Sequence, residues 1–167
     1  MKALSLTQPW VWIILHLGKR IENRTRNLGN YRGTLLLHAS KGMTTADWWS
    51  AYDFVAKHFG HIGFADQIPQ PRSARLVRGA VVGVCEIVNQ CGPGPDWQGC
   101  VHGVERHVPA AWDGDQERWY MGAHAYVLDQ VRELTAPIPC KGALGLWTPP
   151  ADVEATVRTW MLGGERP

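Results

Sequence analysis

An apolar run that stops at a glycine constrains this chain more than any other sequence feature. The eight residues from Trp10 to Leu17 are almost entirely apolar, and Gly18 follows at once. Thr7 is a typical N-cap residue, and Pro9 is tolerated in a first helical turn because its missing N–H would have no helical partner there. Glycine readily adopts the left-handed conformation that ends many helices. The pattern therefore predicts a short buried helix that ends at Gly18.

A lysine, a carboxylate and an arginine follow this helix within six residues, as Lys19, Glu22 and Arg24. Side chains of an extended segment alternate between two faces. If Ile21 points into the core, Arg20 shares the opposite face with Glu22 and Arg24. Lys19 then lies near the unpaired carbonyl groups of the helix end. The segment predicts a cleft in which a base, an acid and a guanidinium converge.

Lys19 and Glu22 are the predicted catalytic pair. A lysine close to a carboxylate can act as an electrophile or a proton donor, and a partly desolvated carboxylate can act as a general base. The alternative is a buried salt bridge, formed by Glu22 with Arg24 or Lys19, that only fixes the corner between helix and strand.

Gln8 and Trp10 lie at the start of the predicted helix. Free N–H donors and the positive end of the helix dipole favour an anion at this position. Trp10 is predicted to stack on a base, and the alternative is that it belongs to the apolar core. Trp147 ends the last predicted strand and has the same two alternatives.

His38, Ser40 and Lys41 follow the end of another predicted strand. Backbone N–H groups at such a strand end are expected to be free to meet an anion. A histidine and a lysine there suit general acid–base cleavage of RNA. The alternatives are a core histidine with a backbone partner, and a helix cap followed by a solvated lysine.

Several motifs in order resemble the ASCH domain, a branch of the PUA-like β-barrels. They are "LSLTQPWVWIILHLGKRIENR", "YRGTLLLHAS", "RGAVVGVCEIV" and "AYVLDQVRELTAPIPCKGALGLW". Lys19, Glu22 and Arg24 match the family hallmark G-x-K-x-x-E-x-R, although Leu17 occupies the glycine position. The likeness covers most of the chain apart from residues 44–78, 90–118 and the tail. It implies an α+β fold, a small PUA-like mixed β-barrel with flanking helices, as a single domain over residues 1–167.

The resemblance also implies a function on nucleic acid. The expected ligand is RNA, other single-stranded nucleic acid or a modified nucleoside, held in a cleft around Lys19, Glu22 and Arg24, with Tyr31 and Arg32 beside it together with the strand end at residues 38–41. The alternative is a hydrolase, either a ribonuclease or an amidohydrolase acting on N4-acetylcytidine. In those amidohydrolases a threonine nucleophile occupies the position of Glu22, so this chain would have to activate water instead.

Charge and targeting signals agree with this expectation. The net charge is only +2, but six basic residues and a single acidic one fall within the 23 residues from Lys19 to Lys41, which favours phosphate contact. Gln8 and Pro9 interrupt the apolar N-terminal run and no small-residue cleavage site follows, so we expect a cytoplasmic protein that does not enter a membrane. No protein partner is predictable.

No cofactor or metal is expected. The sequence has no glycine-rich phosphate loop and no Ser/His/Asp order. Cys91, Cys100, His102 and His107 could hold zinc, but their spacing is not a common zinc pattern, and the alternative is a loop with free thiols.

Periodicity and turn residues predict the remaining elements. Strands are expected over residues 4–6, 34–38, 80–88, 123–134 (with a possible bulge) and 144–147, and helices over 45–59, capped by Thr44 or Thr45, and 151–162. Residues 60–78 are expected to be a loop. Residues 90–118 are expected to form a mobile, irregular arm over or beside the cleft, in which Trp97, Trp112 and Trp119 either close on a nucleotide or pack on the barrel.

Overall fold

The computed structural model describes residues 1–26, 29–92, 116–121 and 124–163. Within these ranges the chain forms six strands, four α-helices and two short 3-10 helices. The strands are β1 (Lys2–Leu6), β2 (Ile21–Arg24), β3 (Gly33–Ala39), β4 (Ala80–Cys91), β5 (His124–Pro139) and β6 (Leu146–Trp147). The α-helices are α1 (Trp10–His16), α2 (Thr45–Phe59), α3 (Phe64–Gln67) and α4 (Ala151–Gly163), and the 3-10 helices are Gly60–Ile62 and Gln116–Trp119.

All six strands belong to one mixed sheet in the order β2-β5-β4-β3-β1-β6. The first strand β1 runs parallel to β3, and the other neighbouring pairs are antiparallel. The sheet curls into a half-barrel with helices around it. The expected α+β class and the small barrel with flanking helices are confirmed at this level.

The two faces of the sheet bury different sets of side chains. Alternate residues of the strands meet Val11 and Ile14 of α1 on one face. On the opposite face, α2 packs over Ile21 and Val127, and α4 packs over the other half of the sheet. Gly83 of β4 lets α1 approach closely, because a Cβ there would lie 2.7 Å from the Leu15 side chain. The first face, called the α1 face below, is therefore covered by the helix that precedes Lys19.

Helix ends agree with the expectations in two places and differ in one. Gly18 has a left-handed φ of 69° just after the last residues of α1, as predicted. Thr44 caps α2 through a reciprocal pair of contacts with Asp47. The prediction that Thr7 caps α1 is wrong, since the side chain of Gln8 accepts from the Trp12 N–H at 3.2 Å and takes the capping role. A shift of two residues in the N-cap, from Thr7 to Pro9, is enough to change which side chain reaches the first free N–H groups.

Two segments contain more structure than their sequence indicates. The expected loop over residues 60–78 contains a 3-10 turn and α3, and it buries Ala65, Ile68 and Leu76 against α2. Its elements are only three and four residues long and are interrupted by Pro, Gly and Arg residues, so no helical periodicity of apolar residues can be recognised in the sequence. The predicted bulging of β5 is confirmed by three register shifts against β4, and the strand continues to Pro139, beyond its expected end at residue 134.

The expected arm falls largely outside the described residues, which resume at Gln116. Trp97 and Trp112 lie in that part. Within the described ranges, none of the helices combines the length and the apolar character needed to cross a bilayer.

Candidate functional site

The Glu22 carboxylate lies between two cationic side chains. Its Oε2 is 3.2 Å from Lys19 Nζ, and its Oε1 is 3.5 Å from Arg24 Nη1. Lys19 also donates to the carbonyl of Ile21. The predicted convergence of lysine, carboxylate and guanidinium is therefore present in the fold.

The three side chains differ sharply in exposure. Lys19 is 1% exposed, Glu22 is 8% exposed and Arg24 is 27% exposed. Burial lowers the pKa of Lys19, and the neighbouring Glu22 carboxylate opposes that change. The lysine thus lies beneath the carboxylate, and the arginine is the member of the cluster that solvent reaches.

Strand pairing explains this layering. Ile21 pairs with Val127 and Glu22 pairs with Tyr126 between β2 and β5. Ile21 and Val127 join the core under α2, whereas Tyr126 belongs to the core on the α1 face. Because side chains alternate along β2, Glu22 is directed to the α1 face next to Tyr126.

Tyr126 and Arg32 extend the site along the sheet. Burial raises the pKa of the Tyr126 phenol, and the positive charges of Arg24 and Arg32 oppose that rise. Arg32 is exposed and donates to Asn89 Oδ1 at 3.2 Å. Tyr31 donates its hydroxyl to the Thr34 carbonyl at 2.7 Å. Two guanidinium groups therefore lie near one phenol, a group that sequence reasoning did not single out because Tyr126 is distant in sequence and reads as a strand residue.

Arg20 reaches back to the end of α1. Its Nη1 donates to the carbonyls of Ile14 at 3.0 Å and Lys19 at 3.2 Å. The arginine, not Lys19, therefore satisfies the free carbonyl at the end of α1. Burial lowers the pKa of Arg20.

Gln116 and Asn23 join residues 18–23 to residues 116–121. Gln116 is 1% exposed, its Oε1 accepts from the Arg20 N–H at 2.9 Å, and its Nε2 donates to the Gly18 carbonyl at 3.3 Å. Asn23 Nδ2 donates to the Trp119 carbonyl at 2.7 Å, and its Oδ1 accepts from the Met121 N–H at 2.9 Å. These contacts join residues more than 90 positions apart, so no local pattern could have found them.

Trp119 does not close over a ligand. It is fully buried and its ring stacks on Phe59 at 4.0 Å between centroids. Of the alternatives for this residue, packing on the barrel is the one observed.

Gln8 and Trp10 occupy different environments. Gln8 is 2% exposed and both ends of its amide have a partner, because Nε2 donates to the Val77 carbonyl at 2.8 Å and Oε1 accepts from the Trp12 N–H. These contacts do not support the prediction that Gln8 binds a ligand. Trp10 is half-buried against Phe54, with Lys19 Nζ 5.6 Å from its ring centroid. Part of its indole therefore remains available beside the lysine cluster.

The other candidate residues lie around a separate cavity. Arg32 precedes β3 and Ser40 follows it, so a strand of seven residues, roughly 20 Å at ~3.3 Å per residue, separates them. His38, Ser40 and Lys41 line a cavity of about 880 Å³ whose lining includes none of Lys19, Glu22 and Arg24. The expectation of a single cleft that contains both groups is therefore wrong.

His38 is a core histidine with a backbone partner, which was one of the two alternatives. Its Nε2 donates to the Cys140 carbonyl at 3.1 Å, and its Nδ1 lies 3.1 Å from Ser5 Oγ. Trp147 Nε1 donates to the same hydroxyl at 3.2 Å, and its ring meets His38 edge-on. Burial lowers the pKa of His38, and the hydrogen bond to Cys140 opposes the change. Neither ring nitrogen is left for acid–base catalysis.

Ser40 does not offer a free N–H to an anion. Its N–H donates to the Leu6 carbonyl at 2.8 Å, and its hydroxyl donates to the Gly42 carbonyl at 3.0 Å. Since Thr44 caps α2, Ser40 is not the helix cap either. Lys41 is exposed.

Metal ligands do not cluster in the described part of the chain, where no group of three His, Cys, Asp or Glu side chains could hold an ion. Cys100, His102 and His107 lie outside the described residues, as does the side chain of Cys91.

Comparisons with known proteins add one distant similarity. No protein-family model matches the chain. The chain is 25% identical over 133 residues to the aspartate–tRNA(Asp) ligase of Pyrococcus abyssi (strain GE5 / Orsay). The similar region is 80% of this chain and 29% of the ligase, so the chain spans less than a third of that protein.

Proposed function

We propose that this protein binds single-stranded RNA or a modified nucleoside through the face formed by Glu22, Arg24, Arg32 and Trp10. The observation that carries the proposal is the position of Arg24. Within the described residues, its one polar partner is Glu22, a carboxylate that already serves the buried Lys19. A guanidinium has five N–H donors, so most of those on Arg24 stay available to a phosphate.

Exposure favours binding over catalysis. A substrate atom would have to reach Lys19 Nζ, but this side chain is 1% exposed and its donors are directed at Glu22 and Ile21. Lys19 instead fixes the position of the Glu22 carboxylate, and this carboxylate in turn fixes the position of Arg24. Trp10 supplies a half-buried ring on which a base can stack.

The family assignment is part of the same proposal. The Lys19, Glu22 and Arg24 match to the ASCH hallmark and the curled mixed sheet support an ASCH domain of the PUA-like class. The similar ligase is named for a tRNA substrate, which is compatible with a nucleic-acid partner for this chain.

Removing the partly exposed Arg24 and the exposed Arg32 tests the proposal. We expect the variant Arg24→Ala/Arg32→Ala to bind an RNA of about ten nucleotides more weakly, because two phosphate contacts are lost. The slope of log affinity against log salt concentration should fall by roughly 0.7 for each arginine. Fluorescence anisotropy over a salt series measures both quantities.

A charge-matched control separates a local site from net charge. Lys57→Ala/Arg72→Ala removes two exposed cations elsewhere, on α2 and in the segment before β4, and should leave the affinity nearly unchanged. Equal weakening in both variants, or no effect of the arginine variant, would remove this face from consideration.

A hydrolase is the second candidate, favoured by one observation. Burial lowers the pKa of Lys19 from its ordinary value, which moves the amine toward the range where lysines exchange protons. For this function we expect Glu22→Gln to keep the fold and to lose turnover of RNA or N4-acetylcytidine, since the amide keeps the shape but not the base. Lys19→Ala should lower the rate by ~10²-fold or more. Chromatography of the products measures turnover, and full activity of Glu22→Gln with an unchanged melting temperature would contradict the assigned role.

A further inference from the structure

The cavity beside the end of β3 has a charge pattern that the proposed function does not use. Its walls come from residues 38–41, from the Arg78–Gly79 turn before β4, and from the segment 139–144 after β5. Its volume of about 880 Å³ lies within the range of pockets that hold small organic ligands.

Three cations line the cavity. Lys41, Arg78 and Lys141 line it and are exposed, and no carboxylate is among the described lining residues. Within the described ranges none of the three forms an ion pair. Three like charges around one concave surface attract an anion more strongly than scattered cations do.

The segment that carries Lys141 is held firmly against the strand. The carbonyl of Cys140 accepts from His38. Gly142 packs so closely that a Cβ there would lie 2.4 Å from His38 Cε1 and 2.5 Å from Ser5 Oγ. Lys141, between these two residues, therefore has a fixed backbone position at the cavity wall. The saturated His38 serves as part of this support and not as a ligand.

Apolar side chains form the remaining wall. Pro139, Ala143 and Leu144 line the cavity, and Leu144 is 98% exposed. A ligand with a charged end and a flat apolar end would meet both parts of the surface. A nucleotide has this division between its phosphate and its base.

We propose that this cavity is a second binding site, which takes the phosphate group of a nucleotide between Lys41, Arg78 and Lys141. The inference rests on the proposed function for the carrier of the phosphate, which is either a free nucleotide or a nucleotide of an RNA chain. The site is separate from the Arg24 face, so the two can be tested independently.

Binding of AMP, inorganic phosphate and adenosine to the full chain tests the site. We expect Lys41→Ala/Lys141→Ala to bind AMP about tenfold more weakly, because charged hydrogen bonds to the phosphate are lost. The variant should lose affinity for inorganic phosphate in the same way, and its affinity for adenosine should not change. Isothermal titration calorimetry or chemical-shift titration measures each affinity, and both lysines are exposed, so the variant is expected to fold.

Two controls make the outcome decisive. Lys57→Ala/Arg72→Ala removes the same charge elsewhere and should bind AMP as the unmodified chain does. Arg24→Ala/Arg32→Ala should lose RNA affinity but keep AMP affinity. The proposal is overturned if the chain binds AMP no more tightly than adenosine, if the charge control loses as much, or if Lys41→Ala/Lys141→Ala is unaffected. Binding of a short RNA then tells whether the phosphate belongs to a free nucleotide or to an RNA chain. Lys41→Ala/Lys141→Ala should lower the affinity for RNA only if the site takes a nucleotide of a chain.

Discussion

Several polar residues that suggest ligand binding in the sequence serve the protein interior instead. Gln8, Lys19 and His38 are each at most 2% exposed, and every one of them has hydrogen-bond partners within the chain. A polar group without water is costly unless it is paired, so buried polar side chains are almost always satisfied. At the residue scale, exposure and not residue type separates Arg24 and Arg32 from these three.

His38 should make stability depend on pH. Burial lowers its pKa below the ordinary 6.5, so between the two values the unfolded chain binds more protons than the folded one. The contribution of neutral His38 to stability is therefore present above this window and is lost as the pH falls through it. Urea denaturation above and below the window should show that the difference in free energy of unfolding between the unmodified chain and His38→Gln becomes smaller in acid. The exposed His61→Gln provides the control, and an identical pH response of the two variants would contradict the prediction.

The element that carries the site is stabilised by contacts from outside it. The strand β2 has only four residues and, among the described strands, lies at the edge of the sheet with β5 as its one hydrogen-bonded neighbour. Gln116 and Asn23 supply the additional bonds that connect residues 18–24 to the 3-10 helix Gln116–Trp119 and to Met121. A short edge strand gains its fixed geometry from this docking.

Gln116→Ala should weaken both stability and the site. The Arg20 N–H and the Gly18 carbonyl would lose the partner they have, at a cost of about 1–3 kcal/mol in the free energy of unfolding. We also expect weaker RNA binding, since the backbone that positions Arg24 loosens. Chemical denaturation and anisotropy measure the two effects. Gln70→Ala, at an exposed glutamine, is the control, and equal unfolding energies for both variants would argue against the docking role.

At the scale of the whole molecule, the chain returns to the end of β4 after the segment 93–115. The Tyr120 hydroxyl donates to the Gly92 carbonyl at 3.2 Å. Trp119 and Gln116 are buried in the body of the fold on the return side.

Replacing residues 93–115 by a Gly-Ser bridge of roughly eight residues should leave one cooperative unfolding transition. If the segment covers the Arg24 face, as its sequence leads us to expect, the shortened chain should bind RNA more weakly. Circular dichroism melting and anisotropy measure the two properties. Loss of cooperative unfolding would show that the segment belongs to the core, and the expectation that it covers the cleft would then be abandoned.

Local patterns in the sequence were sufficient for several features of this protein. The apolar run before Gly18 predicted α1 and its end, the Thr44 motif predicted the start of α2, and the spacing of Lys19, Glu22 and Arg24 predicted their convergence. Helical and strand periods act over a few residues, and these contacts span at most six positions. Such features depend on backbone geometry that neighbouring residues set among themselves.

Long-range packing decided the rest. The hydrogen bond from the Arg20 N–H to Gln116 forms only because the chain returns to this place more than 90 residues later. The approach of Tyr126 to Glu22 depends on the register between β2 and β5. The division into two sites follows from the length of β3, which carries Arg32 and Lys41 to opposite ends of one strand. Burial is a property of the assembled sheet and helices, so only the tertiary structure could show that His38 is a core residue and that Arg24 faces solvent.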